Sequence, residues 1–202
     1  MKNRINIVTL IISLAATAGF SQEIVPQADA MKGAAMAWQA SADITDAPVV
    51  VDPDIKNPFA MKGGSNIGML VVPETKLAKE IEHAGAGVTP VAQIWLRGLL
   101  PVFNGSTATL DKLRTVSVSD GANSLLVPVL FVGLQNGTVG KELVIFSQDK
   151  TALATLPLKA VEQEQKLPVE FSVVANNERK SAEVTMTLVG KFQANFGLAA
   201  EN

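Results

Sequence analysis

Few residues in this chain combine a type and a spacing that can do chemistry. His83 is the single histidine and there is no cysteine. A His-rich zinc site, a thiolate nucleophile and a cysteine–histidine pair therefore cannot be assembled. His83 falls near the end of a candidate helix, where a cation complements the helix dipole. Gly63, Gly64, Ser65, Asn66, Ile67 and Gly68 look like a nucleophile elbow. The elbow needs glycine two residues after the serine, and Ile67 stands there instead. Gly137, Thr138, Val139, Gly140, Lys141 and Glu142 echo a phosphate loop without its gap between the glycines, and Glu142 replaces the Ser or Thr that holds magnesium. Asp52 and Asp54, even with Asn57, supply too few oxygens for calcium and read as a polar turn. Asn104-Gly105-Ser106 and Asn136-Gly137-Thr138 match a glycosylation acceptor, and Asn-Gly turns account for both. Glu162 and Glu164 lie in a polar loop and read as solvated carboxylates. The expectation is a protein that binds or builds, with no catalytic residue, metal site or cofactor.

The elements that would have to position any site are strands. The chain of 202 residues is 48% hydrophobic and 18% charged, enough for one domain with a real core. A net charge of −2 without a basic run argues against nucleic-acid binding. Without cysteine there is no disulfide framework. Aromatics are 5% and tyrosine is absent, so Val, Leu, Ile, Ala and Met must fill the core.

Lys2 and Arg4 precede an almost wholly apolar run over residues 5–20, and small residues lead out of it. This is the pattern of a signal peptide, with cleavage after Ala18 or Ser21. The alternative is an uncleaved anchor, but a span needs about 20 apolar residues and this run is shorter. The chain thus divides into a signal peptide (1–21), an Ala-rich N-terminal extension (22–35) and one β-domain (36–202).

Within that domain Met36, Trp38, Ala40, Ala42 and Ile44 alternate with polar residues, which predicts a strand with one buried face. Residues 67–72 predict a strand, residues 74–84 one short helix ending at Gly85, and residues 91–100 an apolar strand around Trp95 with Arg97 as its one charge. Residues 125–134 form a continuous apolar run, expected of a strand buried on both faces. Pro128 within it signals an edge or bulge. Asn136-Gly137 predicts a hairpin turn, as do Asp120-Gly121 and Asn176-Asn177. Val169, Phe171 and Val173 alternate with polar residues. So do Val184, Met186 and Leu188, and Phe192, Ala194 and Phe196 continue that face. Short strands with a turn every ten residues or so predict a mainly β sandwich with one short helix.

Residues 38–64 carry a resemblance. Trp38, the alternating stretch to Ile44, and then Asn57-Pro58-Phe59-Ala60-Met61-Lys62-Gly63 are similar to the opening of kappa-class chaperone–usher fimbrial subunits. Pro90-Val91-Ala92-Gln93-Ile94 and Phe192-Gln193-Ala194-Asn195-Phe196 also resemble strands of that family. Phe59 stands where the family usually has Trp, and the chain ends in Ala199-Ala200-Glu201-Asn202 where an aromatic is usual. The resemblance implies an immunoglobulin-like sandwich that is incomplete, lacking its last strand, whose apolar groove is filled first by a periplasmic chaperone. An outer-membrane usher then passes it to the N-terminal extension of the next subunit. On this chain it implies Met36, Trp38, Ala40, Ala42 and Ile44 as donor or first strand. It implies Val184, Met186, Leu188, Phe192 and Phe196 as the groove and chaperone edge. The competing expectation is an exported β-sandwich binding module with a complete fold and no catalysis. The two differ over whether the face from Val184 to Phe196 is open.

Overall fold

The computed structural model describes residues 22–63, 66–85, 87–119, 124–176 and 180–201. The signal-peptide segment, Asp120-Gly121 and Asn177 lie outside those residues. The chain runs β1 (Gln22–Ile24), α1 (Gln27–Ser41), β2 (Phe59–Gly63), β3 (Ile67–Pro73), α2 (Leu77–Glu80), β4 (Thr89–Arg97) and β5 (Leu99–Phe103). It continues through β6 (Ser106–Thr107), a single 3-10 turn at Leu110–Lys112, β7 (Arg114–Ser119), β8 (Ser124–Asn136), β9 (Lys141–Phe146) and β10 (Ala154–Pro157). Last come β11 (Lys159–Ala160), β12 (Val169–Asn176), β13 (Ser181–Leu188) and β14 (Phe192–Ala200).

The strands form two antiparallel sheets. One has the order β1-β2-β3-β4-β8-β9-β10, with β7 also on β8; the other has the order β12-β13-β14-β5-β6, with β11 also on β14. The fold is a mainly β sandwich. Its central core lies between the sheets and includes Val71, Ile94, Leu96, Leu130, Leu143, Val184, Met186 and Leu188. Four phenylalanines run through it: Phe59 meets Phe171 at 5.8 Å, Phe171 meets Phe196 edge-on at 6.2 Å, and Phe196 meets Phe103 at 6.1 Å. Phe59, from the Asn-Pro-Phe step, is thus a core residue.

β8 is long enough to serve two partners end to end on one side. Val129 pairs with Arg114 of β7 and Phe131 with Phe146 of β9. The buried Ser147 hydroxyl joins them, accepting from the Arg114 amide at 2.8 Å and donating to the Val129 carbonyl at 2.6 Å. On its other side β8 pairs with β4 only as far as Val129. On that side no ladder bond is asked of Pro128, whose nitrogen carries no proton.

Four expectations are corrected. Residues 36–44 are not a strand. Met36, Trp38 and Ala40 belong to α1, Ala42 caps its C-terminus and Ile44 follows in a turn. Alanine is the strongest helix former, and positions two apart stand about 200° apart around a helix, so the alternating set shares no face. The face that does bury is Ala30, Ala34, Ala37 and Ser41, at spacings of three and four. Pro26 and Asp29 are good start signals for it. The expected boundary between 35 and 36 therefore falls inside a helix, and residues 22–35 are packed: β1 pairs with β2, and Ala34 is fully buried.

Second, the face of Val184, Met186, Leu188 and Phe196 is covered by the chain itself. The first three have no exposed surface and Phe196 keeps 7%. Phe192 is half-buried and packs against the same core. β14 is no sheet edge, because β13 pairs along one side and β11 and β5 share the other. Third, Asn136 is not a turn residue. It pairs with Lys141, its side-chain amide donates to the Ala84 carbonyl at 2.7 Å, and the connection is residues 137–140. Asn104 and Gly105 do form a two-residue hairpin turn, with φ of 51° and 77° between the paired Phe103 and Ser106. The helix expected over 74–84 is shortened to Leu77–Glu80. Glu74 is spent elsewhere, its buried carboxylate accepting the Asp52 amide at 2.6 Å and the Lys76 amide at 3.3 Å.

Above the first sheet, α1 and residues 44–57 form a third layer. Ala34, Ala37, Val49 and Val51 pack on Val72, Trp95, Val127, Val129 and Phe131. Arg114 pins that layer, donating from both terminal nitrogens to Asp46 at 2.8 and 2.9 Å. The guanidinium's hydrogen bonds hold the Asp46 carboxyl below the usual aspartate range. A lowered carboxyl pKa contributes stability above the ordinary Asp value, about 3.9, and loses it as pH falls through the lower folded value. Amide protection factors in residues 44–57 should therefore fall in that acid window, and Asp46→Asn should bring the lower protection to neutral pH.

Candidate binding cleft beneath α1

α1 roofs the sheet without sealing it. Its alanine stripe allows close approach. On the flank carrying Asp29, Gly33 and Met36, a cleft of 560 Å³ stays open to solvent between helix and sheet. Leu70 of β3, Trp95 of β4 and Val127 of β8 line it from the sheet and Met36 from the helix, while the side chains of Met61 and Met69 turn to the opposite face and the central core. Glycine at position 33 keeps the helix side low: a methyl there would sit 3.6 Å from Leu70 Cδ2, in ordinary contact, and anything longer would enter the cleft.

Two donors stand at this cleft. Trp95 is 3% exposed, and its indole Nε1–H is buried without an acceptor. A buried polar group left without a partner costs about 1–3 kcal/mol, so such groups call for explanation. Arg97 lies two residues along β4, on the same face. It is exposed and its guanidinium donates to Asn66 Oδ1 at 3.3 Å. The one acid on the cleft wall, Asp29, is already paired with Lys32 at 2.9 Å.

No protein-family model, curated protein or solved structure matches this chain.

Of the residues expected to form a donor strand, only Met36 lines the cleft. Trp38 is exposed on the opposite flank of α1, Ala40 and Ala42 touch no site, and Ile44 packs against the outer core. The expected groove residues lie in the central core. A larger concavity of 760 Å³ runs past Asn104, Glu183 and Asn195, but no buried unsatisfied side chain lines it. His83, Glu162 and Glu164 are exposed and scattered. Asp54 is used locally, accepting from the Asn57 amide at 2.7 Å and the Lys56 backbone at 3.1 Å. Among the described residues no group of three or more His, Asp or Glu is placed to hold a metal, and no helix is long and apolar enough to cross a membrane.

Sequence reasoning passed over Gly33, Trp95 and Arg97 as site residues. A signal for two of them existed: one charge in an otherwise apolar strand, two residues from a tryptophan and hence on its face.

Proposed function

We propose that this protein is an exported, non-catalytic binding module that holds a small apolar ligand in the cleft beneath α1. The observation that carries the reading is the distribution of covered surface. The chain buries the strand face a polymerising subunit would leave open, yet it leaves an apolar concavity of ligand size between helix and sheet. Binding sites are commonly concave, mostly apolar pockets of about 300–1,000 Å³ with a few placed polar groups. Met36 on the helix side suits such a role, because the unbranched thioether adapts to what it touches. Export rests on Lys2, Arg4 and the apolar run that follows them.

Gly33→Leu tests the reading. The first carbon fits and the rest of the side chain occupies the cleft. Replacing a helical glycine should leave the melting temperature unchanged or higher, since glycine costs about 1 kcal/mol in a helix. The neutral dye Nile red should bind the unaltered protein saturably and the variant at least tenfold more weakly. Equal binding by the two proteins, or none by either, contradicts the assignment of the cleft.

A further inference from the structure

We infer that the ligand is an anionic amphiphile: an apolar chain or ring ending in a carboxylate. This rests on the cleft being the binding site. The polar groups there are donors in want of acceptors. Trp95 Nε1–H has no partner at all, and Arg97 has one long hydrogen bond from a group with five N–H donors. The single acid is already paired with Lys32, which lessens its pull on a cationic ligand. A ligand carrying only apolar surface would leave the indole N–H unsatisfied. A carboxylate brings two oxygens. One can take the indole proton, and the other the guanidinium of a residue roughly 7 Å along the strand. Charge-assisted hydrogen bonds of this kind are shorter and stronger than neutral ones. The tail then lies over Leu70 and Val127, under Gly33, where the walls offer no further polar demand.

The test uses decanoate, decanol and decyltrimethylammonium below their aggregation concentrations, with tryptophan fluorescence as the readout. The chain has two tryptophans, so the Trp38→Phe background leaves Trp95 as the sole reporter. Decanoate should change that emission saturably and bind at least tenfold more tightly than the alcohol or the cation. Arg97→Gln, which keeps the side chain's stem, should weaken decanoate about tenfold and leave decanol unchanged. Arg97→Lys should recover part of the loss. Decanol binding as tightly as decanoate, an Arg97→Gln variant that binds decanoate normally, or no saturable decanoate binding would each overturn the inference. Nile red uptake that Gly33→Leu abolishes would still uphold the cleft in those cases, so failure of the ligand class and failure of the site are separable.

Discussion

Replacing Phe196 with alanine is expected to lower the unfolding free energy of the isolated chain by about 3–5 kcal/mol, the usual cost of removing a buried aromatic. The ring is 7% exposed and touches two others, Phe103 and Phe171, at 6.1 and 6.2 Å. Its loss removes apolar burial, opens a cavity and breaks two edge or tilted ring contacts that add about 0.5–1.5 kcal/mol each. The size of the effect also discriminates. Were Phe196 the floor of a groove awaiting another chain, the substitution would cost the monomer little and instead weaken a complex. Urea unfolding of the purified chain measures this directly. A midpoint that falls with unchanged slope supports the closed core. A shift worth less than about 1 kcal/mol contradicts it.

Gly190→Ala is expected to cost about 2–3 kcal/mol, near the upper end of ordinary point mutations. Two effects combine. Gly190 has φ of 70°, in the left-handed region where a side chain costs about 1–2 kcal/mol. An added Cβ would also lie 2.3 Å from the Gln163 carbonyl oxygen. That oxygen cannot retreat freely. Gln163 donates its own amide to the Gly190 carbonyl at 3.0 Å, and Gln165 Oε1 accepts the Gly190 amide. The Gln165 side-chain amide in turn donates to the Leu167 and Thr187 carbonyls at 2.6 and 3.1 Å. The polar loop at 161–167 is thereby tied across the last hairpin. Gly105→Ala is the control. It has the same backbone demand, with φ of 77°, and nothing within 4 Å of the added carbon. It should cost only the conformational part, about 1–2 kcal/mol. Equal costs at the two positions would show that the close approach at Gln163 is not what holds the loop.

The sandwich was legible because its strands obey period two against a one-sided core. Val184, Met186 and Leu188 point inward together, and the register with Phe171 and Phe196 follows from the pattern. The continuous apolar run of β8 was legible as a strand buried on both faces, but what covers its second face was not. That cover is α1, whose buried residues are alanines. Alanine gives little contrast between helix faces, so the chance alternation of Met36, Trp38, Ala40 and Ala42 outweighed the true spacing of Ala30, Ala34 and Ala37. With α1 unread, Gly33 and Met36 had no sheet to face and the cleft could not be foreseen. The Asn136-Gly137 signal marked the right hairpin but set its turn one residue early: Asn136 pairs with Lys141 in the ladder, its side chain reaches Ala84, and residues 137–140 make the connection.

Sizing the chain from Gln22 onward by light scattering, together with its urea unfolding curve, asks most directly whether its apolar strand faces are satisfied from within. A monomer that unfolds in one cooperative step, with no added protein, is the predicted result. A chain that aggregates on isolation, and becomes soluble only when a strand-donating partner is supplied, would contradict it.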